Sequence, residues 1–184
     1  MAAEVEFAVL GARGQLAQAF LTRLGRRAAG LDRTQLTLGD PAQTARVLQA
    51  LRPRVVINCA AYNQVDAAES RHAEALAANA AGPAQLAALA VRQGFRLVHF
   101  STDYVFGADS LRRPRNEEDE PAPLNFYGYS KLLGEQAVLA NAPRALVLRV
   151  ANLYGARSLS PGRASLVERF LALARAGRPI EATS

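Results

Sequence analysis

The sequence predicts an α/β protein, a Rossmann-like doubly wound parallel sheet with helices on both faces. Three observations support this class. Short apolar runs alternate with longer helical patterns, the runs are apolar throughout rather than alternately polar, and a glycine-rich turn follows the first of them. Continuously apolar strands separated by helices are typical of parallel sheets that are covered on both faces.

The apolar runs predict five strands, in chain order Val5–Leu10, Ala28–Leu31, Val55–Cys59, Leu97–Ser101 and Ala145–Val150. The segments between them predict helices over Gln15–Leu24, Pro41–Leu51, Val65–Arg92, Phe126–Asn141 and Ser165–Ala176. Asp40 before Pro41 is the pattern of an N-cap followed by proline at the first helical position. Gly82-Pro83 predicts an interruption of the long third helix. Pro179-Ile180-Glu181 predicts the beginning of a further strand.

The composition excludes several classes of protein and of binding site. The 184 residues are 50% hydrophobic and carry 22 basic against 16 acidic side chains, a net charge of +6. The single cysteine, Cys59, excludes a disulfide framework, and two unclustered histidines give no expectation of a metal site. No signal peptide or membrane span is recognisable, so a cytoplasmic protein is expected. The positive charge suits an anionic nucleotide, while nucleic-acid binding stays a minor alternative because the arginines are dispersed.

The first strand leads into a turn of the form G-x-x-G-x-x-A, from Gly11 and Gly14 to Ala17. Glycines allow close approach of the backbone to a pyrophosphate, which the N–H groups of a helix N-terminus then bind. Asp32 and Arg33 follow the second strand, where a carboxylate favours the ribose of NAD and an arginine the 2′-phosphate of NADP. Because the chain has both residues, the preference between NAD and NADP stays open. Arg13, inside the glycine turn, is a second candidate ligand for a phosphate.

A second constellation combines the end of the fourth strand, Ser101-Thr102-Asp103-Tyr104, with the start of the next helix. Tyr127 and Lys131 are four residues apart and so share one helix face. Lys131 is also the only lysine in the chain. A cation beside a phenol is expected to lower the tyrosine pKa, and a hydroxyl such as that of Thr102 could polarise a carbonyl. Ala60 and Ala61 fit a ligand-binding loop as well as they fit ordinary tight packing. Asn79 likewise fits an anchor of that loop or an ordinary polar residue in a helix.

Longer stretches make the pattern more specific, namely Gly11–Leu16 (GARGQL), Val56–Tyr62 (VINCAAY), Val65–Ser70 (VDAAES), Val98–Phe106 (VHFSTDYVF) and Tyr127–Glu135 (YGYSKLLGE). In them the chain resembles the dTDP-4-dehydrorhamnose reductase family of extended short-chain dehydrogenases/reductases. The resemblance implies a catalytic triad of Thr102, Tyr127 and Lys131. It implies cofactor contacts at Gly11, Gly14, Gln15, Leu16, Ala60, Ala61, Tyr62 and Asn79, beside those expected of Arg13, Asp32, Arg33, Tyr127 and Lys131. Substrate contacts are implied near Val65, Thr102, Asp103 and Tyr104.

Two departures bear on specificity. Ala17 replaces a third glycine, and Asn152 stands where the family usually has a tryptophan against the sugar. We place Asn152 among the substrate residues. The segment R-x-x-N-x-Y-G also resembles epimerases and dehydratases of the superfamily. Residues 1–155 are therefore expected to form an NAD(P)-binding domain with the triad, and 156–184 the beginning of a truncated substrate-binding part.

The expected function is NAD(P)H-dependent reduction of the 4-keto group of a dTDP-deoxysugar, with NADPH preferred and NADH also accepted. Two alternatives stay open: another nucleotide-sugar epimerase or dehydratase, and a non-catalytic NAD(P)-binding regulatory subunit. A homodimer is also left open. The last helix is expected to expose an apolar surface at Leu166, Val167, Phe170, Leu171 and Leu173.

Overall fold

Five parallel strands form a single sheet in the order β2-β1-β3-β4-β5, which confirms the predicted fold class. The computed structural model describes residues 5–107, 113–155 and 166–180. Its strands are β1 (Phe7–Leu10), β2 (Ala28–Leu31), β3 (Val55–Asn58), β4 (Arg96–Thr102) and β5 (Leu146–Val150). Its helices are α1 (Gln15–Leu24), α2 (Pro41–Leu51), α3 (Val65–Ala68), α4 (His72–Leu76), α5 (Gly82–Gln93), α6 (Phe126–Asn141) and α7 (Leu166–Arg175).

Alternate residues of the strands pack on opposite faces of the sheet. Ala8 and Leu10 of β1 belong to the larger core cluster, together with Leu48 of α2 and Leu86 of α5. Val9 points to the other face, where it packs with residues of α1. Burial on both faces is the reason why these strands are apolar throughout.

Helix ends follow the local sequence. The Asp40 carboxylate accepts a hydrogen bond of 2.9 Å from Gln43 N, with Pro41 at the first helical position, so the predicted N-cap of α2 is confirmed. Asn125 caps α6 in the same way, accepting from Gly128 N at 2.8 Å. Both caps satisfy N–H groups that have no partner within their own helix.

The prediction that the helix is interrupted at Gly82-Pro83 is wrong. Residues 72–93 run continuously through α4, a π-helical turn over Ala77–Ala81, and α5. Pro83 has no N–H, and the wider turn before it accommodates this loss. The Asn79 carbonyl faces Gly134 of α6 so closely that a Cβ there would lie 2.0 Å from it.

In the C-terminal part, the predicted helix is present as α7, and part of its predicted apolar surface is exposed. Val167 and Leu171 of α7 are 47% and 49% exposed, while Phe170 and Leu173 are partly exposed. Pro179 and Ile180 form no strand, contrary to prediction. Ser165, the side chain of Leu166 and Glu181 lie outside the described residues.

Candidate active site

A cleft of about 1030 Å³ opens at the carboxyl ends of β1, β3 and β4. The sheet order places β1 beside both β2 and β3, so the winding direction of the chain reverses between β1 and β3. Ligands of doubly wound sheets bind at this switch point. Most of the predicted site residues line the cleft, namely Gly11, Arg13, Gly14, Gln15, Leu16, Asp32, Arg33, Ala60, Ala61, Val65, Thr102, Asp103, Tyr104, Tyr127, Lys131 and Asn152.

The glycine turn brings the backbone of β1 against the loop after β3. Gly11 has φ of +74°, and a Cβ on it would lie 2.9 Å from Ala60 N. Both its backbone conformation and this close approach therefore require glycine. Gly14 precedes α1 without a side-chain cap, so the first N–H groups of that helix face the cleft without a side-chain acceptor. This is the geometry that binds a pyrophosphate.

Asp32 is tied into its own turn beside two arginines. Its carboxylate accepts hydrogen bonds from Thr34 N at 2.9 Å and from the Thr34 hydroxyl at 2.6 Å. These bonds lower the pKa of Asp32, and the Arg13 charge lowers it further. Arg13 and Arg33 both line the cleft, so this end of the site offers one fixed carboxylate and two guanidinium groups.

The structure does not bring Tyr62 and Asn79 into the wall of the cleft. Asn79 is fully buried and anchors the loop instead, accepting from Tyr62 N at 2.8 Å and donating to Tyr62 O at 2.9 Å. Its amide also donates to the Ser130 hydroxyl of α6 at 2.9 Å. Of the two interpretations of Asn79, a loop anchor is therefore the one that the structure supports.

Thr102, Tyr127 and Lys131 meet at the floor of the cleft. Thr102 is 5% exposed, and its hydroxyl donates to Asp103 Oδ1 at 3.0 Å and accepts from Tyr104 N at 3.2 Å. Lys131 is 2% exposed, and its ammonium donates to Phe100 O of β4 at 2.6 Å. The predicted triad is therefore assembled by the end of β4 and the first turns of α6.

The expected lowering of the Tyr127 pKa by Lys131 is wrong. Burial raises the pKa of Tyr127, the hydrogen bond with Thr102 opposes that rise, and Asp103 and Tyr104 add to it. Lys131 is not among the groups that shift this pKa, and its ammonium donates to the Phe100 carbonyl. Burial lowers the pKa of Lys131 itself to about 8. At neutral pH the site therefore holds a protonated phenol and a charged lysine.

Several supporting residues were not identified from the sequence. Glu69 Oε1 accepts a hydrogen bond of 2.7 Å from Phe126 N at the first turn of α6. Asn58 Oδ1 accepts from Ala60 N at 3.1 Å, and the Asn58 amide lies 3.1 Å from His99 Nδ1. Burial lowers the pKa of His99 to about 3, and the Lys131 charge contributes. Glu69 and His99 stand inside the quoted stretches VDAAES and VHFSTDYVF, which was the available signal.

The end of β5 forms one edge of the cleft. Asn152 is exposed there, and Gln15 donates to Leu153 O at 3.5 Å across the opening. Within residues 5–107, 113–155 and 166–180, no group of three or more potential metal ligands occurs. None of the helices in that part of the chain is long and apolar enough to cross a membrane.

Residues 6–184 match the family described as the RmlD substrate binding domain. The chain is similar to the dTDP-4-dehydrorhamnose reductase of Mycobacterium tuberculosis H37Rv, with 47% identity over 152 residues, 79% of this chain and 49% of the relative. It is also similar to a probable dTDP-4,6-dihydroxy-2-methyloxan-3-one 4-ketoreductase of Streptomyces antibioticus, with 41% identity over 165 residues, 88% of this chain and 55% of the relative. The chain thus spans about half the length of the curated relatives it matches.

Solved structures agree with these relatives. The dTDP-4-dehydrorhamnose reductase of Clostridium acetobutylicum has a TM-score of 0.84 at 33% identity, covering 92% of this chain and 59% of that one. The Bacillus anthracis dTDP-4-dehydrorhamnose reductase, solved in complex with NADP, has a TM-score of 0.83 at 33% identity with the same coverage.

Proposed function

Because the chain belongs to the family of the RmlD substrate binding domain, we propose that it acts as an NAD(P)H-dependent reductase. Its substrate is the 4-keto group of dTDP-4-dehydro-L-rhamnose, and its product is dTDP-L-rhamnose. The observation that carries this proposal is the meeting of Thr102, Tyr127 and Lys131 at the floor of a cleft that begins at the glycine turn. The names of the relatives from Mycobacterium and Clostridium support the same reaction.

The residues present fit a nicotinamide dinucleotide. Gly11 leaves the space that a Cβ would fill, and the uncapped N-terminus of α1 offers N–H groups to the pyrophosphate. Arg13 and Arg33 would bind a 2′-phosphate, so NADPH is preferred, while Asp32 keeps NADH acceptable. The NADP complex of the Bacillus anthracis relative supports this assignment.

A reduced nicotinamide bound in this cleft would supply hydride to C4 of the sugar. Tyr127 donates its phenolic proton to the carbonyl oxygen, so that ketone, hydride and proton together give the alcohol. Its raised pKa supports this role because the phenol stays protonated at neutral pH. Thr102 would orient the substrate carbonyl, and the Lys131 ammonium would bind the nicotinamide ribose.

Substrate contacts are assigned to Val65, Asp103, Tyr104 and Asn152. Asp103 and Tyr104 are exposed in the cleft beside Tyr127, with the Tyr104 and Tyr127 rings edge to face at 5.8 Å. We assign residues 1–155 to the cofactor domain and 156–184 to the beginning of the substrate-binding part. We further propose a cytoplasmic location.

The test is a single-turnover reaction, with the protein in excess over dTDP-4-dehydro-L-rhamnose and NADPH supplied. We expect loss of the reduced-nicotinamide absorbance and formation of dTDP-L-rhamnose, detected by chromatography. A protein that carries tightly held NAD and epimerises or dehydrates nucleotide sugars without net NADPH consumption would overturn the proposal. Binding of NADPH without any reaction would instead support the regulatory-subunit alternative.

A further inference from the structure

Two charged side chains are buried on one face of α6. Lys131 and Glu135 are four residues apart, so they lie one helical turn from each other, and each is 2% exposed. Among the described residues they are the only charged side chains in the buried class. A buried charge is strongly destabilising unless it is paired and hydrogen-bonded. Each of these two buried charges therefore requires a partner that compensates for its loss of hydration.

Glu135 has that partner in Arg149 of β5. Arg149 Nε lies 3.0 and 3.1 Å from the two carboxylate oxygens, and Nη2 lies 2.8 Å from Oε2. The guanidinium also packs 4.9 Å from the centroid of the Phe106 ring. This bidentate geometry holds the carboxylate in one position against β5.

Lys131 has no such ion pair within 4 Å in the part of the chain that the structure describes, since its ammonium donates to the Phe100 carbonyl. Burial opposes its charge, and the Glu135 carboxylate acts in the opposite direction by raising the pKa of Lys131. At low dielectric a carboxylate one turn away acts strongly even without direct contact.

We propose that Glu135, held in place by Arg149, is a positioning residue that keeps Lys131 charged at the floor of the cleft. The inference rests on the proposed function in one respect, the binding of a nicotinamide ribose by the Lys131 ammonium. It goes further by giving the α6–β5 ion pair a part in that site. The pair also ties α6 to the strand whose end carries Asn152.

The other groups near Lys131 are uncharged or peripheral. His99 of β4 is neutral because its pKa is lowered to about 3, and Tyr127 is neutral because its pKa is raised. Asn79 and Ser130 are polar and uncharged. The charged or titratable groups on the remaining segments that pack on α6 are exposed, namely Asp66, His72, Glu74, Arg92, Arg96, Asp103 and Tyr104, together with Glu69 directly after α3.

The arrangement predicts shifts of opposite sign for the two partners. Glu135→Gln removes the attractive charge and leaves the Arg149 guanidinium, so deprotonation of Lys131 becomes easier. Arg149→Gln leaves the Glu135 carboxylate with Lys131 as the remaining buried cation, so deprotonation becomes harder. A purely structural ion pair would not move the two variants in opposite directions.

Lys131 is the only lysine in the sequence, so protein labelled with ¹³C-lysine gives a single lysine side-chain NMR signal whose titration can be followed directly. We expect a midpoint near the value of about 8 for the parent chain. Glu135→Gln should lower that midpoint by about one unit or more, and Arg149→Gln should raise it. Glu117→Gln, a change at an exposed loop carboxylate, is the matched control and should leave it unchanged.

An unchanged midpoint in Glu135→Gln, or shifts of the same sign in both single variants, would overturn the inference. If a single variant does not fold, the double variant Glu135→Gln/Arg149→Gln, which leaves neither member of this ion pair charged without its partner, takes its place. Its midpoint should lie below that of the parent, and an equal midpoint contradicts the proposal. The titration needs neither cofactor nor turnover, so failure of the proposed function would appear separately, as absence of NADPH binding or of sugar reduction.

Discussion

Tyr127 is kept in the protonated form that a reductase requires. Its phenol is largely buried, and the charge of Asp103 further disfavours the phenolate. The pKa therefore lies above its ordinary value, and the acid form persists through the neutral range and beyond it. Loss of activity as pH rises should thus come from another group, and Lys131, with a pKa of about 8, is the group that titrates first.

We expect Tyr127→Phe to lower the rate of sugar reduction by at least about 100-fold, because it removes the proton donor and leaves the ring in place. The dissociation constant for NADPH should stay within about threefold of the parent value, because the cofactor contacts remain. Lys131→Met, in contrast, should lower both the rate of sugar reduction and the affinity for NADPH. Single-turnover rates and fluorescence titrations measure the two quantities, and a Tyr127→Phe rate within a few-fold of the parent contradicts the assignment.

We expect the coenzyme preference to depend on Arg13, Asp32 and Arg33, which line one end of the cleft. Arg33→Ala should weaken NADPH binding by about tenfold, because a charge-assisted contact with the 2′-phosphate is lost. NADH binding should change much less. Parallel calorimetric titrations with both coenzymes measure this, with exposed Arg46→Ala of α2 as the control. Tighter binding of NADH than of NADPH by the parent protein would reverse the stated preference.

At the scale of elements, the first turn of α6 is held from two sides. Glu69 accepts from Phe126 N, and the His72 ring stacks on Phe126 with centroids 3.8 Å apart. On the other side Gly128 lies against the Tyr104 backbone, where a Cβ would approach the carbonyl oxygen to 2.2 Å. The position of Tyr127 therefore depends on α3 and α4 as well as on its own helix.

Glu69→Ala should slow sugar reduction and lower the free energy of unfolding by about 1 kcal/mol, as loss of a helix cap does. Glu69→Gln retains an oxygen acceptor and should restore most of both quantities. Asp66→Ala, at a neighbouring exposed carboxylate of α3, should affect neither. Denaturant unfolding and single-turnover rates provide the readouts, and equal effects of the Ala and Gln changes would exclude a hydrogen-bonding role.

Sequence reasoning succeeded where a feature depends on neighbours along the chain. The apolar strands, the Asp40 cap, the glycine turn and the four-residue spacing of Tyr127 and Lys131 are all of this kind. It failed where the cause is tertiary. The direction of the Tyr127 pKa shift depends on burial. The contacts of Asn79 and Glu69 are made with segments 17 and 57 residues away, so the sequence offered the anchor role of Asn79 only as one of two interpretations and indicated no role for Glu69.

At the scale of the whole molecule, the residues that the structure describes form more of the cofactor half of the cleft than of the sugar half. The glycine turn, the turn at Asp32 and Arg33, and the cluster of Thr102, Tyr127 and Lys131 all belong to the sheet and its adjoining helices. The edge after β5, in contrast, is exposed from Ala151 to Gly155. Catalysis requires the ketone to be held within about 3–3.5 Å of the hydride donor. The 184-residue chain spans about half of its curated relatives.

We therefore expect the 184-residue chain to bind NADPH at micromolar concentration and to turn over dTDP-4-dehydro-L-rhamnose slowly. The exposed Val167 and Leu171 of α7 should make it self-associate, because exposed apolar patches promote association. Light scattering should show this, and Val167→Glu/Leu171→Glu should reduce it without changing NADPH affinity. Full-rate turnover by a monodisperse monomer would show that the cleft needs no further wall.

The central claim is that this cleft transfers hydride to C4 of a dTDP-linked keto sugar while Tyr127 supplies the proton. The most direct measurement is a single-turnover reaction with NADPH deuterated at the transferable position of the nicotinamide, followed by NMR of the sugar. We expect one deuterium at C4 of dTDP-L-rhamnose for each NADPH oxidised, and none with Tyr127→Phe over the same time. NADPH oxidation without deuterium at C4, or equal incorporation by Tyr127→Phe, would contradict the account.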